Sequence, residues 1–396
     1  VRILHFIQSG VHGGGIETYL QHLLATPSSD LEHEVVVASG EGYVLSQSLP
    51  VHQINWSAES NGGAEDGRRA MELIVARDGV PLFHDVPGEA TLNACRARGL
   101  PVAILCHGHQ WWCGSATRFH SRTGKTCEIR ATTPRCLVRY HALRCGGRRL
   151  GPAVREIRRA STGRRALREA ARTLVASRYM AEQAEMHGAP RLRVRQLPLP
   201  TPFAGAGPLP RADDPPIVLY PSRLTSLKGI EPTLEAFARI RADARLVVAG
   251  TGILAGRVAA AVAAHPARDR ILLAGHLTLD GLREAFGRAT VVVMPVLWPE
   301  PFGLVGIEAL ALGRPVVATD TGGVGEWAHE DLGVLRIARP TPSLLAEAIE
   351  RVLTDPSWGM RARERGAPWV DERHSMKAHV ESLRAALDPL RPPPRA

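Results

Sequence analysis

TVVVMPVLWPEPFGLVGIEALALG, residues 290–313, reads as a buried strand, a rigid turn and a helix in succession. TVVVMP is a β-branched run with no polar alternation, the pattern of a parallel strand covered on both faces. Pro299, Pro301 and Gly303 then forbid a regular element, and an apolar helix starts near Gly303. Two carboxylates, Glu300 and Glu308, stand eight positions apart in this otherwise uncharged stretch. Glu308 lies among Ile307, Ala309 and Leu310, where an idle carboxylate is costly.

The same strand-then-helix rhythm extends in both directions. Strands are expected at 3–7, 34–38, 80–84, 102–106, 173–177 and 192–197, with helices such as 15–26, 66–77 and 178–187 between them. PLPTPFAGAGPLPRADDPP (198–216) is too rich in Pro and Gly for an element and reads as a linker. The alternation resumes with strands at 217–220, 244–250, 270–275, 290–295 and 314–319, and helices near 230–241, 253–265, 279–288 and 303–312. Residues 341–388 look helical throughout, and the tail RPPPRA is expected to be disordered. The fold class is therefore α/β, with two consecutive doubly wound, Rossmann-like domains. Their expected bounds are 1–200 and 201–375, and 376–396 is a C-terminal helix packing back on the first domain plus the tail.

Composition sets further bounds. The 396 residues are 44% hydrophobic and 22% charged, as in a soluble globular protein, and no apolar run approaches a membrane span. VRILHFIQSG lacks the apolar core of a secretion signal, so a cytoplasmic location is expected. Net charge is +10, and residues 135–172, with twelve arginines, two glutamates and neither Lys nor Asp, carry all of it. That segment is either a solvated helical face or a basic surface for anionic headgroups, making peripheral contact with the inner face of a membrane. Nucleic acid is not expected, because no aromatics suited to base stacking are interleaved there.

Ligands of open α/β sheets sit beyond the carboxyl ends of the strands. SGVHGGGIE (9–17) follows the first strand, and its glycines let the backbone approach an anion at a helix start. YPSRLTSLKGIEP (220–232) places Arg223 and Lys228 on one strand-to-helix loop, as a diphosphate would need. In the opening stretch, the amides near Phe302, Gly303 and Leu304 begin a helix whose dipole favours phosphate. Glu308 lies five residues further, about 7.5 Å along the axis, roughly the step from a nucleotide's phosphates to its ribose. Glu300 falls on the other side, where a sugar would lie.

EPFGLVGIE resembles the E-x7-E motif of retaining GT-B glycosyltransferases, the large family 4-like group. GGGIE, SRLTSLKG, VVAGTG and GRPVVATDTGGVGE are similar to further motifs of that family, so the resemblance spans most of the chain. It implies two domains facing across a cleft, with a nucleotide-sugar donor held by the second and an acceptor by the first. It further implies hexosyl transfer with retention and without a metal, UDP being the favoured nucleotide. Gly14 and Gly15 would lie against the diphosphate and sugar, Arg223 and Lys228 would stabilise the leaving phosphate, Glu300 would hold the donor sugar, and Glu308 the ribose. Leu277 falls where the nucleobase packs, and His107 matches a histidine placed beside the sugar. A nucleotide-sugar epimerase of the same fold and a non-catalytic nucleotide-sugar-binding protein remain alternatives.

The acceptor stays open among small molecules, lipid-linked substrates and glycans, as does the oligomeric state. Asp85 and Glu89 are available for amino or hydroxyl groups, and Trp111 and Trp112 for stacking on a sugar or for the core. An Arg- and Gly-rich insertion, about 107–150, contains Cys113, Cys127, Cys136 and Cys145. Lacking any C-x2-C pair, these four read equally as a structural zinc knot, one or two disulfides, or free thiols.

Overall fold

The computed structural model describes residues 1–9, 15–26, 31–39, 50–57, 63–147, 149–210 and 215–391. It divides into two compact units, Val1–Pro198 with His379–Ala396, and Leu199–Ala378.

The first unit contains strands β1 (Arg2–Ser9), β2 (Glu32–Ser39), β3 (Val51–Gln53), β4 (Val80–Phe83), β5 (Ala103–Cys106), β6 (Phe119–His120), β7 (Lys125–Thr126), β8 (Arg172–Val175) and β9 (Val194–Gln196). Its helices are α1 (Gly15–Leu24), α2 (Ala64–Arg77), α3 (Glu89–Ala97), α4 (Thr133–Ala142), α5 (Leu150–Glu169) and α6 (Arg178–Met186). Seven strands form one parallel sheet in the order β3-β2-β1-β4-β5-β8-β9, while β6 and β7 make a separate antiparallel hairpin. Central strands such as VPLF and AILC are buried at every position, which is why their sequences show no polar alternation.

The second unit has β10 (Ile217–Pro221), β11 (Arg245–Ala249), β12 (Ile271–Gly275), β13 (Val291–Met294), β14 (Val316–Thr319) and β15 (Val334–Ile337), again all parallel, in the order β12-β11-β10-β13-β14-β15. Helices α7 (Ile230–Phe237), α8 (Ala255–Ala263), α9 (Leu279–Arg288), α10 (Leu304–Ala311) and α11 (Pro342–Thr354) connect or flank these strands. The stretch 341–388 is not one continuous helical run. It breaks at Asp355–Pro356 and at Ser375 into α11, α12 (Ser357–Arg361), α13 (Ala367–His374) and α14 (Met376–Leu387), with a π-helical turn at Ala362–Gly366. Pro356 and Pro368 cannot donate to a helical ladder, which accounts for the first break and for irregularity ahead of α13.

From His379 onward α14 belongs to the first unit. The His379 Nδ1–H donates to the Pro198 carbonyl at 2.7 Å, so its Nε2 must accept from the Tyr19 hydroxyl on α1, at 2.8 Å. Among the described residues no helix is long and apolar enough to cross a membrane.

Candidate functional site

Strand order in the second unit reverses between β10 and β13, and the loops that leave their carboxyl ends lie at this switch point. These loops carry Arg223 and Lys228 on one side and Glu300 on the other. The Leu297 amide donates to the Leu227 carbonyl at 2.9 Å and ties them together.

The β10 loop is held from beneath. Buried Tyr220 donates its hydroxyl to the Lys228 carbonyl at 3.0 Å, and the Leu224 amide donates to the Thr251 carbonyl at 2.9 Å, in the VVAGTG turn. Gly229 follows Lys228 at φ 76°, and a side chain there would overlap the Pro295 carbonyl at the end of β13. Glycine is thus required for the two loops to pass so closely. Arg223 is exposed, whereas Lys228 is partly buried.

Glu300 is buried, and its carboxylate meets the Lys228 ammonium at 2.7 Å. Lys228 also lies over the Trp298 ring, 5.5 Å from its centroid. The segment after β14 fixes this turn: the Gly323 amide donates to the Glu300 carbonyl and the Trp327 indole N–H to the Phe302 carbonyl, each at 2.7 Å. Gly322, at φ 60°, lies against the Glu300 backbone where a Cβ would not fit. The GRPVVATDTGGVGE resemblance therefore has a physical content, as a brace for the carboxylate turn.

Gly303 is the left-handed N-cap of α10, and Leu304 its first residue. Phe302 is buried. Glu308 lies one turn along α10; it is half-buried, and desolvation pushes its carboxyl up to about 7. Leu277 occupies the turn between β12 and α9 and lines a cavity of about 530 Å³.

In the first unit the order reverses between β1 and β4. The glycine loop after β1, including Gly14, falls outside the described residues, and Gly15 opens α1. His107 follows β5, and its Nε2 lies 2.8 Å from Nδ1 of His84, which follows β4. Burial pushes His107 down to about 3, so it is neutral at ordinary pH. The Asp85 carboxylate accepts from the Gln8 amide at 3.0 Å, while Glu89 is exposed at the start of α3.

Two expectations change. Trp111 and Trp112 are both fully buried, with Trp112 stacked on His187, so neither offers a face to a sugar. Burying such large rings is favourable wherever the sheet–helix layer has room, and sequence cannot distinguish this from a binding face. Nor is the arginine segment uniformly solvated: buried Arg164 donates to the Trp112 carbonyl at 3.1 Å, and Arg165 bonds Asn93 and Glu169.

Cys113, Cys127, Cys136 and Cys145 line one small cavity together with Arg118, His120, Arg139 and Tyr140. All four are free thiols. Burial pushes Cys127 and Cys136 up and Cys145 to about 12, so these three stay protonated. Among the described residues no three Cys, His, Asp or Glu side chains are arranged to hold a metal ion, so the zinc knot has no formed ligand set here.

The sequence reading missed the Lys228–Glu300 pair, the Trp327 brace and the histidines His5, His33 and His84. The last carry a faint signal: His5 and His84 sit in predicted strands, and His33 directly precedes one.

Residues 207–368 match the sequence family described as glycosyl transferases group 1. The second unit is a group 1 glycosyl transferase domain. The chain is 34% identical over 151 residues to an uncharacterized glycosyltransferase of Methanocaldococcus jannaschii, covering 38% of each chain. It is 32% identical over 177 residues to the alpha-D-kanosaminyltransferase of Streptomyces kanamyceticus, covering 43% of this chain and 45% of that one. These matches span less than half the length of either relative. Over 98% of its length the chain superposes on Anabaena HepE in complex with UDP, with a TM-score of 0.73, 16% identity and 100% of that chain covered. The fold carrying the glycosyl transferase domain is thus GT-B.

Proposed function

We propose that this chain transfers a sugar from a nucleotide-sugar, with UDP as the nucleotide, to an acceptor hydroxyl, retaining the anomeric configuration and using no divalent ion. The observation that carries the reading is the 2.7 Å Lys228–Glu300 pair at the switch point of the second unit. A diphosphate would draw Lys228 to itself, with Arg223 beside it, and release the Glu300 carboxylate to sugar hydroxyls. Fixed cations and the α10 amides would meet the charge developing on the leaving diphosphate. The acceptor oxygen attacks C1 as the C1–O(phosphate) bond breaks, and its proton passes to the departing phosphate oxygen. Glu308 accepts the ribose hydroxyls, and Leu277 borders the base.

UDP is favoured because Anabaena HepE is a GT-B neighbour solved with it. On the acceptor side, Leu137, Val138 and Leu150 are exposed among the arginines of α4 and α5. Apolar side chains within a basic surface favour an acceptor presented at an anionic lipid surface.

Steady-state kinetics and product NMR test the assignment. Arg223→Ala should lower kcat by about 10²-fold or more with a smaller effect on donor KM, Glu308→Ala should chiefly raise donor KM, and the anomeric coupling should be that of the donor. Unchanged constants in both variants, an inverted product, or activity lost to EDTA and restored by Mn²⁺ would refute it. Conversion of donor without acceptor would point to an epimerase.

A further inference from the structure

At His107 the first unit carries a row of imidazoles joined ring to ring, buried at His5 and His84 and half-buried at His33 and His107. Nδ1 of His33, on β2, lies 2.9 Å from Nε2 of His5, on β1. Nδ1 of His5 lies 3.0 Å from Nε2 of His84, and Nδ1 of His84 lies 2.8 Å from Nε2 of His107. Sheet register produces the row. His33 pairs with Ile3, two residues before His5; His5 pairs with Leu82, two before His84; and Phe83 pairs with Ile104, which aligns His84 two residues before His107. Steps of two keep every ring on one face. The row therefore crosses four adjacent strands while climbing towards the carboxyl edge.

Burial keeps all four rings neutral: His33 is lowered to about 4, His107 to about 3, and His5 and His84 well below their ordinary value. A neutral imidazole has one N–H, and each N···N contact needs one. Only two assignments satisfy all three contacts. Either every ring is protonated on Nδ1, with the bonds pointing to His107, or every ring is protonated on Nε2, with the bonds pointing to His33. Any mixture leaves one contact with two hydrogens or none.

Conversion between the two assignments requires one proton to cross each contact, one to leave Nδ1 of His107 and one to enter Nε2 of His33, or the reverse. Nε2 of His33 is buried and has no hydrogen-bond partner. The far end of the row is closed. A proton taken by His107 from a substrate could not be passed out and would remain as an imidazolium where burial disfavours it.

We propose that His33, His5 and His84 are positioning residues that lock His107 in one neutral tautomer, so that its outward Nδ1 is a fixed hydrogen-bonding group for the ligand and not a general base. The inference rests on the glycosyl-transfer reading for the class of ligand, a sugar hydroxyl. His107 thus orients a hydroxyl, and the proton of the reaction goes elsewhere.

The test is ¹⁵N NMR of the full chain labelled at histidine, which needs no activity and so separates failure of the row from failure of the functional reading. All four rings should show the same tautomer and no titration between pH 5 and 8. Among the described residues, the other titratable groups packed against the row include Tyr19, 5.9 and 5.2 Å by ring centroid from His84 and His107, His379 on α14, and the Val1 amino group near His33. None of these is an anion that would raise the imidazoles. Mixed tautomers, or a His107 titrating near neutrality, would overturn the proposal.

His84→Leu should uncouple the tautomer of His107 from those of His5 and His33 and raise KM about fivefold to tenfold, as for a lost hydrogen bond, with kcat nearly unchanged. His84→Asn keeps an amide where Nδ1 stood and should restore a single His107 tautomer and most of the KM. A kcat loss of about 10²-fold or more in His84→Leu, the scale of lost acid–base catalysis, would count against the proposal. So would failure of His84→Asn to restore the His107 tautomer.

Discussion

Glu308 shows how one residue couples site and solvent. Desolvation raises its carboxyl to about 7, so in the folded chain it holds a proton between the ordinary carboxylate range and neutrality. The folded state binds more protons there than the unfolded one, and this residue's contribution to stability falls as pH rises from about 4.5 to 7. Ribose hydroxyls donating to the carboxylate would reverse the penalty and expel the proton. UDP affinity is therefore expected to rise by up to about tenfold per pH unit below 7 and to level off above it, while Glu308→Gln binds weakly at every pH. Calorimetry in buffers of different ionisation enthalpy would reveal the released proton, and a flat profile in the unmodified protein would remove Glu308 from the ribose site. Gly229 makes a steric case. Gly229→Ala puts a Cβ at φ 76° into the Pro295 carbonyl, which should cost at least about 2 kcal/mol by denaturant unfolding and weaken UDP binding as the Lys228 loop shifts.

At the scale of elements, the strands were legible because a fully buried parallel strand leaves an uninterrupted β-branched run, as in VVVM of β13. The short β3 and the β6–β7 hairpin were not, since three residues or two carry no period to read. Helices α4 and α5 were visible as arginine-rich sequence, yet which arginines face solvent depended on packing. Buried Arg164 serves the Trp112 carbonyl, whereas Arg135, Arg139, Arg149 and Arg155 are exposed near Leu137, Val138 and Leu150. If this surface meets lipid, the protein should co-sediment with vesicles containing anionic lipid and not with neutral ones, and lose binding by about 300 mM salt as charges are screened. Leu137→Asp with Val138→Asp should reduce binding without changing the melting temperature. Equal binding to neutral vesicles would exclude the electrostatic reading.

At the scale of the whole molecule, buried imidazoles are divided unevenly. Among the described residues the first unit holds His5, His22, His33, His84, His107, His120 and His187, all pushed down by burial, while the second holds His374 with the oppositely shifted Glu308. Unfolded histidines take up protons below about 6.5; the folded ones do so only at lower pH, near 4 for His33, His187 and His374 and near 3 for His107. Each such ring contributes stability that is complete above 6.5 and lost as pH falls through the folded value. Acidification from pH 7 to 5 should therefore loosen the first unit before the second, read by hydrogen exchange mapped along the intact chain. Loss of protection in the second unit first would contradict this account.

The sequence by itself determined the α/β alternation, the division near residue 198 into two doubly wound halves, and the residue types on the loops after β10 and β13. Those features depend on local periodicity and on turn chemistry, which neighbouring residues dictate. Tertiary structure alone decided that Lys228 pairs with Glu300 across 72 positions, that Trp111 and Trp112 turn inward, and that four histidines from four strands stand in a row. Strand order and register set these contacts, and both arise from how the sheet assembles, information that no stretch of sequence carries alone.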